Sequence, residues 1–94
     1  MTIEETCDVL KQTLIAKNKA YGNSAERGSL FGSVSPEDAI LVRMSDKISR
    51  LINMSRGEHI DDLGETFNDT VLDLAGYCVL YLVTANNNKG SKYE

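Results

Sequence analysis

The sequence predicts an all-α protein, an antiparallel domain of three helices whose core is completed by self-association. Three observations carry that reading. Apolar residues recur every three or four positions in three separate stretches. Each stretch opens on residues that start helices, and nowhere does the strict alternation of a half-buried strand appear. The spacing places the helices at about 2–20, 36–56 and 61–86, with a loop over 21–35 and a frayed tail over 87–94.

The first helix opens at Thr2, whose hydroxyl can cap the N-terminus while Glu5, three residues on, completes a capping box. Ile3, Cys7, Leu10 and Leu14 then form its apolar stripe, and Tyr21-Gly22-Asn23-Ser24 is turn chemistry that ends it. The polar, glycine-bearing segment that follows is long for a compact domain, where loops of about 12 residues are usually functional or disordered. Leu30 and Phe31 are its expected anchors in the core. Ser35-Pro36-Glu37-Asp38 opens the second helix: serine caps, proline takes the first turn, and the two acids complement the helix dipole. Ile40, Met44, Ile48 and Leu51 make its buried stripe, and Gly57 stops it. Asp61-Asp62 is the expected start of the third helix, which buries Leu63, Phe67, Val71, Leu74 and Cys78. From Leu74 to Val83 this helix is apolar almost all round, as in helices enclosed by protein. Two short companions cannot enclose it, so a second subunit is the expected cover.

The 94 residues make a single domain, 1–94, and one this short is marginal unless stapled, metal-bound or oligomeric. Cysteine supplies no staple: Cys7 and Cys78 are far apart and read as reduced small hydrophobes. The only histidine, His59, sits between helices with no nucleophile beside it, so neither a zinc cluster nor a catalytic triad can be built. The N-terminus lacks a signal peptide's basic and apolar regions, and the longest apolar run is far below the ~20 residues of a membrane span. A cytoplasmic protein that does not engage membranes is the expectation. A net charge of −4 argues against a general nucleic-acid surface while leaving local basic sites open.

Two charged faces remain. Arg43, Lys47 and Arg50 fall within about 60° of arc on the second helix, with Asp46 beside them. Glu65, Asp69 and Asp73 are spaced four apart on the third, where like charges disfavour the helix and call for a cation or a basic partner. Asp73 stands where the helix turns apolar, so its carboxylate must be paired or bind a metal. Two arrangements satisfy these faces. In one they neutralise each other as a structural network. In the other they form a polyanion site: Glu65, Asp69 and Asp73 hold Mg²⁺, the Arg/Lys stripe takes phosphate charge, and Lys17, Asn18, Tyr21 and Asn23 close over a base or ribose.

Three segments carry a resemblance. Lys17-Asn18-Lys19-Ala20-Tyr21-Gly22-Asn23-Ser24, the run Arg43–Leu51 and the run Asp69–Tyr77 resemble, in order, the nucleotide modification associated domain family of small helical phage and prophage proteins. The likeness spans Lys17 to Tyr81 and implies a link to nucleotides, in the host cytoplasm if the chain is phage-encoded. More distantly the chain is similar to the all-α, MazG-like nucleotide pyrophosphohydrolases, which hold Mg²⁺ on an acidic helix pair. Glu65 to Asp73 stand for the second acidic element of that family. Where the first is expected this chain has Arg43, Asp46, Lys47 and Arg50, a departure that suits binding of phosphate better than hydrolysis. The resemblance therefore implies a nucleotide-binding protein that holds a phosphate-bearing ligand, by analogy with phage proteins that sequester nucleotide signals. A Mg²⁺-dependent pyrophosphohydrolase is the enzymatic alternative, and a small adaptor docking a partner protein is the third.

Overall fold

The computed structural model describes residues 1–20, 34–57 and 66–87. They form three helices, α1 (Ile3–Ala20), α2 (Pro36–Ser55) and α3 (Phe67–Asn87), with no strand among them. The expected loop anchors Leu30 and Phe31, the expected helix start at Asp61-Asp62 and His59 lie outside the described residues.

Each helix is started by the chemistry of one or two residues. At α1 the Glu5 amide donates to Thr2 Oγ1 at 3.1 Å, and the Thr2 hydroxyl in turn reaches Glu5 Oε1 at 3.0 Å. At α2 the Asp38 amide donates to Ser35 Oγ at 3.1 Å, with Pro36 at the first helical position. The described part of α3 begins at Phe67. A second capping box sets that boundary: the Asp69 amide donates to Thr66 Oγ1 at 3.0 Å, and the Thr66 amide donates to Asp69 Oδ2 at 3.1 Å. At the end of α2 the Gly57 amide donates to Met54 O, and its φ of 75° is one that glycine adopts without strain.

Both outer helices run antiparallel to α3. Lys17 of α1 meets Asp73 while Leu14, earlier in α1, lies against Gly76, later in α3. Lys47 of α2 meets the same Asp73, and the earlier Arg43 shares its clefts with the later Tyr77. α3 is thus the central element, packed mainly on α2 and touched more narrowly by α1. The narrow contact has a local cause. A Cβ at position 76 would sit 3.0 Å from Leu14 Cδ2, so the glycine lets α1 approach at this point.

Burial departs from the periodicity in an informative way. Ile40 is fully buried, whereas Ile48 of the same stripe is half-exposed. Of the apolar stripe of α1 only Leu10 and Leu14 are partly covered; Ile3 and Cys7, expected inside, are exposed because the helix meets α3 around Gly76 and not along its length. On α3 the buried residues are Thr70, Gly76 and Thr84, while Phe67 and Val71, expected in the core, are largely exposed. At 100° per residue Phe67, Val71, Val79, Leu82 and Val83 cover one arc of α3, and Thr70, Asp73, Gly76, Tyr77 and Thr84 cover the other. The small and polar arc faces the companion helices.

Candidate functional site

Asp73 lies at the meeting point of the three helices. Lys47 Nζ donates to its Oδ2 at 3.2 Å, and Lys17 Nζ stands 3.5 Å from its Oδ1. α1 and α2 therefore each send one lysine to opposite oxygens of a single carboxylate on α3. Asp73 is 30% exposed, so its charge is partly desolvated and the two cations offset that cost. Of the expected pairing of Arg43, Lys47 and Arg50 with Asp69 and Asp73, the described residues show the single ion pair Lys47–Asp73, which Lys17 joins from α1.

A cleft of about 150 Å³ opens beside this cluster. Its lining is apolar in part, from Leu10 and Leu14 of α1 with Leu72, Gly76 and Leu80 of α3, and polar in part, from Lys17, Asn18, Arg43, Asp73 and Tyr77. Next to it, along α2 and beside Tyr77 of α3, runs an open groove of about 410 Å³ lined also by Arg43, Asp46, Lys47, Arg50 and Asn53. Arg43 and Tyr77 belong to both, so they form the wall between them. Arg43 is exposed and has no carboxylate within ion-pair distance among the described residues.

Of the residues the sequence singles out for a ligand, Lys17, Asn18, Arg43, Asp46, Lys47 and Arg50 are thus gathered around one wall. Tyr21 and Asn23 lie outside the described residues, as does Glu65. Asp69 lines neither cavity; its carboxylate is engaged with the Thr66 amide at the start of α3. Among the described residues no group of three or more acids, histidines or cysteines is placed to hold a metal. Leu14, Gly76 and Tyr77 escape a reading for charge. Tyr77 stands four residues after Asp73 on the same face of α3, which is the signal that would have found it.

Comparison with protein-family models, curated proteins and solved structures finds no match for this chain. No helix among the described residues is long and apolar enough to cross a membrane.

Proposed function

We propose that this is a nucleotide-binding protein of phage type, which holds a phosphate-bearing ligand at the junction of the three helices and releases it unchanged. The observation that carries this reading is the wall between the two cavities. There an exposed guanidinium with no carboxylate partner among the described residues, Arg43, stands beside an aromatic ring, Tyr77, with Lys47, paired to Asp73, and Arg50 one and two turns further along α2. Arginine is suited to phosphate because its planar fork donates two parallel hydrogen bonds to phosphate oxygens. The resemblance of the three sequence segments to nucleotide-associated phage proteins points the same way.

Holding suits the site better than hydrolysis. A Mg²⁺-dependent pyrophosphohydrolase needs carboxylates free to bind metal and activate water. Here Asp73 is occupied by two lysines and Asp69 caps its own helix, while the stretch that would carry the first acidic element is basic. The test is a thermal-shift screen of nucleoside triphosphates and of cyclic and linear signalling nucleotides, with and without Mg²⁺. Any hit is then recovered from denatured protein and analysed. Intact ligand supports the reading, release of pyrophosphate replaces it with the enzyme, and the absence of any shift at millimolar nucleotide leaves the adaptor.

We also infer that the exposed arc of α3 is covered by a second copy of the chain. The arc carries Phe67, Val71, Val79, Leu82 and Val83 and no charged side chain, and Ile48 and Ile52 of α2 are likewise exposed. Among the described residues only Ile40 is a fully buried hydrophobic.

A further inference from the structure

We propose that two copies of the chain meet through α3 in antiparallel register about Tyr77, with Asn68 of one copy seated against Asn86 of the other. This deepens the inference that a second copy covers α3, and rests on it. The sequence of α3 reads nearly the same in both directions from Tyr77. Asn68 and Asn86, Thr70 and Thr84, Val71 and Val83, Leu72 and Leu82, and Leu74 and Leu80 are identical pairs, and Ala75 and Val79 are both small and apolar. Burial divides the pairs by face: Thr70 and Thr84 are both buried, whereas Asn68 and Asn86 are both exposed. Asn68, Leu72, Ala75, Val79, Leu82 and Asn86 are spaced alternately four and three apart, the repeat of a seam between two helices. At 100° per residue they fall within about 80° of arc, and each is exposed or half-buried.

Charge and size fit a second copy to this face. Each chain carries a net charge of −4, so copies repel over most of their surface. Asp69 and Asp73, the charged residues of α3, lie outside the arc of the seam, which leaves a face where two copies meet without opposing charges. The seam is about 27 Å long, and half the water-accessible surface of a helix of that length is on the order of 600 Å². A stable interface takes about a tenth of a small protein's surface, which for this chain is roughly a tenth of 6885 Å². The register follows from the side chains. Antiparallel about Tyr77, asparagine meets asparagine at both ends, leucine meets leucine inside them, and Ala75 meets Val79 at the centre. Each asparagine amide then has a donor and an acceptor opposite it. A slip of one heptad sets Asn68 against Val79 or Asn86 against Ala75, which strands an amide on an apolar side chain. Parallel pairing stacks Ala75 on Ala75 beside Leu72 on Leu72, rows too unequal in size to pack at one helix spacing.

Cysteine cross-linking reads the register directly, in a Cys7→Ser, Cys78→Ala background with sedimentation equilibrium run alongside. Cys7 and Cys78 both lie outside the seam, and Asn68 and Asn86 are exposed positions where substitution costs the fold little. Asn68→Cys and Asn86→Cys, mixed in equal amounts and mildly oxidised, are expected to give a cross-linked dimer that reductant dissolves, because a disulfide needs Cα atoms within about 7 Å. Either variant oxidised alone is expected to stay uncross-linked, since like positions stand about 27 Å apart along the seam. A spin label on Asn86→Cys alone is accordingly expected to report a separation of about 25–30 Å. Cross-linking of either variant alone overturns the antiparallel register, as does a label separation under about 15 Å, the distance of like positions on parallel neighbours. A mixture that stays uncross-linked while its variants sediment as dimers or larger also overturns the register and leaves self-association in place. Wild type that sediments as a monomer at micromolar concentration removes the proposal and the second-copy reading together, and leaves the face to a different protein.

Discussion

One carboxylate organises the centre of this molecule, and its replacement has a predictable cost. Asp73→Ala leaves Lys47, whose side chain is 23% exposed, without its partner on α3, while the more exposed Lys17, at 58%, recovers water. Exposed ion pairs contribute little and partly buried ones more, so urea unfolding of Asp73→Ala should show a loss of about 1–2 kcal/mol. Lys17→Ala should lose less than about 0.5 kcal/mol by the same measurement. Thr84 is the converse case. Its hydroxyl is buried, at 4% exposure for the residue, with no hydrogen-bond partner among the described residues. Thr84→Val keeps the shape and removes the stranded group, so it should raise the unfolding free energy by about 1 kcal/mol. The pairing of Lys47 with Asp73 is legible in the sequence because charges four and seven apart declare their faces. The part of Lys17 is not, because a lysine in the last turn of a helix looks like an ordinary complement to the dipole.

At the scale of elements, the starts of helices are easier to read than their burial. Thr2 and Ser35 cap as their sequence context predicts, since a cap depends on residues three positions apart. The Thr66–Asp69 box is of the same kind but is masked in the sequence by the Asp61-Asp62 pair, which also reads as a start. Thr66→Ala removes the hydroxyl acceptor at α3 and should destabilise the protein by about 1 kcal/mol in a thermal melt. Burial on α3 is a different matter. A segment apolar on nearly every side does not declare its inner arc, and contact geometry decides. Gly76 and Thr70 permit close approach of the companion helices, so their arc is buried and Phe67 and Val71 are left outside. α1 shows the consequence: its stripe is sound as a pattern, yet α3 covers only the part near Leu10 and Leu14.

For the whole molecule, the two faces of α3 serve different ends. The polar and small arc meets α1 and α2 and builds the clefts around Arg43 and Tyr77, while the apolar arc is exposed and is the surface proposed to meet a second copy. Sedimentation equilibrium at micromolar concentration should give at least twice the 10.4 kDa chain mass, and Leu82→Glu should shift the population toward monomer. The proposed site is composed within one chain, so the proposal predicts ligand binding that Arg43→Gln impairs. The most direct test is the melting temperature of wild type and Arg43→Gln across a concentration series of nucleoside triphosphate. At about 100 times Kd a ligand stabilises the folded state by about 2.7 kcal/mol, which for a chain of this size is a rise of roughly 10–20 °C. The account predicts such a saturating rise in wild type and a markedly smaller one at the same concentrations in Arg43→Gln. A flat melting temperature in wild type up to millimolar nucleotide, or equal rises in the two proteins, would contradict it.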